Sequence, residues 1–141
     1  MCFGARYNQY GSFNVPHSGK LAAIKLVHLS GYVSCDTGRS YHWSYWGCGS
    51  HSSLKSHVDV TITTSSNVLI LPPSQFIRYG TKWSEIPGFN SWSPQIVLPF
   101  FSFYTVHSGQ QLRIWYGEDL VNQSEQDNGG ISCCDVYALY I

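Results

Sequence analysis

The apolar and polar positions of this chain follow the two-residue repeat of β-strands, and helical periodicity is nearly absent. The clearest alternation runs from His57 to Thr64. Its apolar positions are expected to point inward: Val58, Val60 and Ile62. Its polar positions are expected to point outward: His57, Asp59 and Thr61. A longer strand is predicted from Leu21 to Ser34, where apolar residues on both faces indicate two-sided burial or a bulge.

Further strands are predicted where short apolar runs lie between turn residues. They cover Asn67 to Leu71, Gln95 to Leu98, Ser102 to His107, Gln111 to Tyr116 and Ser132 to Ile141. Pro99 separates the second and third of these, and Val136, Ala138 and Tyr140 share one face of the last. About seven to nine short strands joined by regular turns predict an all-β sandwich or jelly roll. Without a linker or repeat, residues 1–141 read as a single domain.

Composition narrows the class of protein. Aromatic residues make up 16% and charged residues 11% of the chain, and the formal net charge is zero. Such a chain is not expected to be disordered. It lacks the basic patch of a nucleic-acid or anionic-membrane partner, and no apolar run approaches the roughly 20 residues of a membrane helix. We expect a secreted, extracellular protein whose leader has been removed, with a glycosylation sequon at Asn122.

The five cysteines leave at least one thiol without a partner in the chain. A disulfide between Cys35 and Cys48 is expected in an oxidising compartment. The alternative is a zinc site, because Cys48 and His51 have C-x-x-H spacing, with Cys35 and His42 nearby in sequence. Cys133 and Cys134 are adjacent in a strand, so their side chains point to opposite faces. One can bond Cys2 while the other is buried.

No catalytic signature accompanies these residues. The chain has no G-x-S-x-G elbow, and a nucleophile built from Cys48 and His51 lacks any supporting motif. Carboxylates paired for glycoside hydrolysis could come only from one crowded acidic loop. The protein is therefore not expected to be an enzyme.

That loop runs from Glu118 to Gly130 and holds four of the eight carboxylates of the chain. Calcium takes six to eight oxygen ligands from carboxylates, amides, hydroxyls and main-chain carbonyls. The Asp, Asn, Ser and Glu residues of the loop supply such oxygens, and Gly129-Gly130 allows a tight turn. No flanking helix is expected, which excludes the helix–loop–helix calcium motif. The alternative is a solvated polar turn with Asx-type hydrogen bonds.

The segment from Ile114 to Ile141 resembles the C-terminal segment of the calcium-dependent galactophilic lectins of the bacterial PA-I type. In that family a strand ending in Tyr leads to an Asp, a hydroxyl residue, an acidic or amide pair and a closing strand. The matching residues here are Tyr116, Asp119, Ser124, Asp127 and Asn128. The gap from Asp119 to Ser124 is one residue longer here, so Glu118 can replace or assist Asp119. Glu125 has no counterpart and is expected to face solvent.

A second segment, Val27 to Cys35, resembles the family strand whose last residue gives calcium a main-chain carbonyl. The resemblance implies a galactose-binding-domain-like fold and a metal site that joins distant strands. The implied calcium ligands are Cys35, Asp119, Ser124, Asp127 and Asn128. The implied sugar-binding residues are His51, Asp119, Asp127, Asn128 and Trp43, with Tyr45 and Trp46 as further aromatic candidates. Two neighbouring hydroxyls of a galactoside would complete the calcium shell.

This resemblance implies a lectin, and multivalent binding makes a homo-oligomer plausible for a weak single site. The alternative is an extracellular structural or adhesion module in which calcium only stabilises the loop.

Overall fold

The computed structural model describes residues 1–141 and consists of two antiparallel sheets packed face to face. The first sheet contains β1 (Cys2–Gly4), β3 (Gly19–Ser34), β4 (Trp43–Ser44), β7 (Gln95–Val106) and β9 (Gly129–Tyr140). The second contains β2 (Gly11–Asn14), β5 (Val60–Thr64), β6 (Leu69–Leu71) and β8 (Gln111–Tyr116). The prediction of an all-β sandwich is confirmed.

Strand order places the two termini of β3 against different neighbours. The first sheet runs β1-β9-β3-β4, and β7 pairs with the opposite end of β3 from β4. The second sheet runs β2-β8-β5-β6. Helical structure is limited to the single turn α1 (Gly117–Leu120) and the 3-10 turns Ser40–His42 and Ser74–Phe76. No helix is long and apolar enough to cross a membrane.

The core lies between the sheets and is built from aliphatic residues that alternate along each strand. From the first sheet they include Leu21, Ile24, Leu26, Val33, Ile96 and Leu98, and from the second Val60, Ile62, Leu112 and Ile114, all without exposed surface. In β3 the register shifts between Leu21 and Ala23 and again between His28 and Ser30. These bulges explain the apolar residues on both faces of that strand.

The prediction for the outer face of β5 is wrong. His57, Asp59 and Thr61 were expected to point to solvent, but all three are buried. The irregular segment 72–94 covers this face, and Ser84 bridges to Val58 and Ile77. Alternation predicts a half-buried strand, and only the path of a distant segment shows that the second face is covered as well.

The prediction of two strands separated at Pro99 is also wrong. The strand continues from Gln95 to Val106, and Pro99 lies opposite Ala23, next to the register shift in β3. β7 pairs only with β3, so it is an edge strand. An edge strand has a neighbour on one side only, so proline, which has no N–H to donate, is tolerated there.

The cysteine predictions are confirmed. Cys35 is bonded to Cys48 and Cys2 to Cys133, whereas Cys134 is a buried free thiol. Two cysteines of the zinc alternative are therefore in a disulfide and cannot supply thiolate ligands. The Cys35–Cys48 disulfide holds the start of the segment 36–51 close to its end. This segment forms one side of the candidate site.

Candidate functional site

The acidic loop begins with a helical turn that the sequence did not predict. The chain leaves β8 at Tyr116 and forms α1 over Gly117–Leu120. Gly117 fits closely at this corner, since a Cβ there would come within 3 Å of Asp59 Oδ1 and the Thr81 carbonyl. Beyond α1, Asn122 and Ser124 both have a φ of +57°, and this left-handed geometry brings the chain back to β9.

Glu118 is buried beneath this turn beside Asp59. The Glu118 N–H donates to Asp59 Oδ2 over 3.1 Å, and Trp83 Nε1–H donates to Glu118 Oε2 over 3.1 Å. The other carboxylate oxygens, Asp59 Oδ1 and Glu118 Oε1, are buried without a hydrogen-bond partner. Burial raises the pKa of Glu118, and the hydrogen bond from Trp83 opposes this rise. Burial also raises the pKa of Asp59 well above its usual range, and the Glu118 charge adds to this rise.

Asp119 faces the N-terminal segment. Its Oδ1 accepts from the Asn8 N–H over 2.9 Å and its Oδ2 from the Gln9 N–H over 3.0 Å. The residue is 1% exposed, so the carboxylate fixes the turn between β1 and β2. Glu125, expected to face solvent, is partly buried near Asp119; desolvation and then the Asp119 carboxylate raise the pKa of Glu125.

Asn128 connects the other end of the loop to the same N-terminal segment. Its Nδ2 donates to the Ala5 carbonyl over 3.0 Å, while its Oδ1 is buried without a partner. The neighbouring Asp127 side chain is exposed, and its charge contributes to raising the pKa of Glu118. Three oxygens of this loop are therefore buried without a hydrogen-bond partner, namely Glu118 Oε1, Glu125 Oε2 and Asn128 Oδ1.

The loop contacts residues 34–37, which are called the Cys35 segment from here on. The Thr37 N–H donates to the Asp127 carbonyl over 2.9 Å, and Ser34 pairs with Gly129. The Trp43 ring lies over the glycine pair, because a Cβ on Gly130 would approach its Cζ3 to 2.5 Å. Cys35, Asp127 and Trp43 thus belong to one region. Ser124 is exposed on the outer part of the loop.

His51 lines a polar cleft of about 440 Å³ beside this region. Its ring centroid lies 4.9 Å from that of His42, and His42 Nδ1 lies 3.1 Å from Asp36 Oδ2. Burial, followed by the charge of His42, lowers the pKa of His51. The cleft is therefore lined by hydrogen-bonding groups. Trp46, in contrast, is fully buried and donates its indole N–H to the Ser93 carbonyl over 2.7 Å.

A metal at this site would need amide and main-chain oxygens as well as carboxylates. The structure brings no group of three or more His, Cys, Asp or Glu side chains together for metal binding. Glu118 and Asn128 offer one unpartnered oxygen each, and no loop hydrogen bond uses the Cys35 carbonyl as acceptor. These oxygens are of the kinds that calcium accepts, namely carboxylate, amide and main-chain carbonyl. Asp59, beneath the loop, was missed because alternation placed it outward.

Asp59→Asn tests the cost of this buried charge. The folded-state pKa of Asp59 lies above its usual value of 3.8, so the folded protein binds more protons than the unfolded chain between those values. Its stabilising contribution is lost as pH rises through that window. In EDTA we expect Asp59→Asn to raise the free energy of unfolding at pH 7, because the neutral amide removes a buried charge that has no cation beside it.

Urea unfolding at pH 5 and pH 7 measures this effect, and wild type should lose more stability between the two values than Asp59→Asn does. The control is Asp135→Asn, which removes an exposed carboxylate from β9. If Asp59→Asn is less stable than wild type at pH 7 in EDTA, the Asp59 charge does not destabilise the folded protein.

Comparison with solved structures identifies a similar protein, AJLec from the sea anemone Anthopleura japonica. The two share 34% sequence identity and superpose with a TM-score of 0.93, over 100% of this chain and 92% of that chain. No protein-family model matches this chain, and no curated protein sequence matches it. The resemblance to the bacterial galactophilic lectins stays a prediction.

Proposed function

Because this chain belongs to the family of the sea anemone lectin AJLec, we propose that it binds carbohydrate with the help of calcium. Galactose-type sugars are the proposed ligands, on the basis of the motifs shared with the galactophilic lectins. The proposed site is the junction between the acidic loop and the Cys35 segment. This is a binding function, and the proposal includes no catalytic step.

One observation carries the calcium proposal, namely the two buried oxygens Glu118 Oε1 and Asn128 Oδ1 that lack partners. Leaving a buried polar group unsatisfied costs on the order of 1–3 kcal/mol. A hard dication between such oxygens would remove that cost and neutralise the buried carboxylate. Glu118, Asp127 and Asn128 would hold the ion, with the Cys35 carbonyl and Ser124 as the further ligands implied by the resemblance. Asp119 would first have to give up its two backbone hydrogen bonds.

The surrounding residues would orient a sugar at this junction. When bound, calcium supplies coordination positions that two neighbouring sugar hydroxyls can complete. The Asp127 carboxylate is exposed and can accept a hydrogen bond from a sugar hydroxyl. Trp43 is partly exposed and fixed over Gly130, and an aromatic face suits the C–H face of a pyranose. His51 offers a ring nitrogen from the adjoining cleft.

Calorimetric titration with methyl β-galactoside tests this function. Binding is expected in calcium and should disappear after dialysis against EDTA, then return when calcium is added back. Methyl α-mannoside serves as the control sugar. Undiminished galactoside binding by protein fully stripped of calcium would refute the calcium-dependent mechanism.

A second role for calcium is favoured by the burial of the same two oxygens. Glu118 is 7% exposed and Asn128 has no exposed surface, so an ion held only by them would act as an internal brace, as in a structural or adhesion module. Calcium would then raise the melting temperature while glycan binding would be the same in EDTA. The titration and a thermal melt together distinguish the two roles.

An extracellular location is also proposed. The disulfides Cys2–Cys133 and Cys35–Cys48 support it, since such bonds persist in oxidising compartments. Carbohydrate on a cell surface or a secreted glycoconjugate would be accessible there.

A further inference from the structure

Four aromatic rings form a cluster on the outer face of the first sheet, apart from the acidic loop. The aromatic cluster consists of His28, Tyr32, Tyr45 and Trp92. His28 and Tyr45 are stacked, with centroids 3.7 Å apart and an interplanar angle of 15°. Trp92 meets Tyr45 edge-on at 5.0 Å, and Tyr32 lies 5.8 Å from Tyr45. Tyr32 is 49% and Trp92 44% exposed, so these rings present a surface to solvent.

The rings are held in place by the backbone around them. Val33 pairs with Ser44 across β3 and β4, which brings Tyr32 and Tyr45 to the same side of the sheet. His28 Nε2 lies 2.7 Å from the Gly31 carbonyl. The backbone N–H of Trp92 donates to Asn90 Oδ1 over 2.9 Å, which fixes the main chain that carries this ring. A surface whose side chains are already ordered loses little conformational entropy when a ligand binds.

Three polar groups at the edges of the cluster are free. The hydroxyls of Tyr32 and Tyr45 and the indole N–H of Trp92 take part in no hydrogen bond of the structure, whereas the buried Tyr116 hydroxyl and Trp46 indole each have a carbonyl partner. The surface therefore combines apolar ring faces with unused donors and acceptors at their edges. This chemistry matches a pyranose, which has an apolar C–H face and a rim of hydroxyls.

The aromatic cluster is a neighbour of the proposed sugar site. Tyr45 follows Trp43 by two residues along the chain, a step of about 7 Å in extended structure. The backbone carbonyl of Tyr32 and the ring of Trp43 also lie beside the same residue, Gly130, where a Cβ would contact each of them. The cluster therefore neighbours Trp43 along the chain and across the sheet, a spacing that successive units of one oligosaccharide would cover.

We propose that the aromatic cluster is a second sugar subsite, which stacks on the pyranose ring that follows the sugar bound at the acidic loop. The preferred ligand of the chain is then an oligosaccharide with a terminal galactose. The position of the first sugar rests on the proposed function. The stacking itself uses no metal ligand, so it remains measurable when calcium is removed.

Trp92→Ala tests the subsite, because Trp92 is the exposed edge of the cluster and lies outside the hydrophobic core. The probes are methyl β-galactoside and a linear tetrasaccharide with a terminal β-galactose, titrated by calorimetry in calcium. We expect the variant to bind the tetrasaccharide about 5- to 10-fold more weakly, the loss of one aromatic stacking contact, and to bind the monosaccharide as wild type does. Trp92→Phe should recover most of the difference.

Phe103→Ala is the matched control, since it removes another exposed aromatic side chain, from β7. Equal affinities of wild type and Trp92→Ala for the tetrasaccharide would overturn the proposal. So would an equal loss for both sugars. Loss of self-association in Trp92→Ala with unchanged sugar affinity would assign the cluster to contact between copies of this chain instead.

Different experimental results would refute the proposed function and the proposed subsite. If no sugar binds through calcium, the tetrasaccharide at millimolar concentration in EDTA should still change the tryptophan fluorescence of wild type but not of Trp92→Ala. Without that change the subsite is refuted as well. If galactoside binding requires calcium but Trp92→Ala has no effect, the subsite alone is refuted.

Discussion

Glu118→Gln is expected to weaken calcium binding on the order of 100-fold, because the affinity of an oxygen site for calcium depends strongly on its number of charged ligands. Galactoside binding should be lost with it at physiological calcium. The side-chain shape is retained, and the amide oxygen can still accept the N–H of Trp83 that now bonds Oε2. The loss would therefore report the missing charge rather than a disturbed fold.

Stability should change in the opposite direction in EDTA. Burial raises the pKa of Glu118, so the ionised group costs free energy when no cation is bound, and the neutral amide avoids that cost. Calorimetric calcium titration and melting curves with calcium and with EDTA measure both effects. Asp135→Asn, an equal change of charge at an exposed position, should leave both unchanged. Wild-type calcium affinity in Glu118→Gln would remove this residue from the site.

The sequence predicts much of this fold because the relevant signals are local. The alternation at the start of β8 reflects a core on one side of its sheet, and adjacent Cys133 and Cys134 must point to opposite faces in any strand. Their different fates, a disulfide and a buried thiol, follow from that geometry. The short strands β1 and β2 were not predicted, since three or four residues carry too little alternation to be recognised.

The details of the site depend on contacts that are distant in sequence. Glu118 and Asp119 are neighbours on one helical turn, so their side chains leave α1 in different directions. The Glu118 carboxylate accepts a hydrogen bond from Trp83, and the Asp119 carboxylate accepts from the backbone amides of Asn8 and Gln9. No local pattern tells which carboxylate keeps a free oxygen. The extra residue before Ser124 leaves both carboxylates as candidate ligands, and we propose Glu118 because one of its oxygens has no partner.

Asp119→Ala is expected to destabilise the protein by about 2–4 kcal/mol, because it leaves two backbone N–H groups of the N-terminal turn without their acceptor. That turn holds Tyr7 and Asn8 at φ values of +64° and +58°, and such strained positions persist only when their surroundings fix them. Asp119→Asn keeps one acceptor oxygen and should lose about half as much. Urea unfolding in EDTA measures these differences.

Comparing the stability of these variants with calcium and with EDTA shows whether Asp119 anchors the N-terminal turn or binds the metal. If Asp119 anchors the N-terminal turn, the loss should be similar with calcium and with EDTA, and calcium should still raise the melting temperature of Asp119→Asn. Asp127→Asn provides the contrast: its exposed carboxylate should matter little for stability in EDTA, yet its replacement should weaken calcium binding. If Asp119→Asn instead keeps wild-type stability in EDTA and loses calcium binding, Asp119 is the ligand that the motif implies, and its hydrogen bonds to Asn8 and Gln9 must then break when the ion binds.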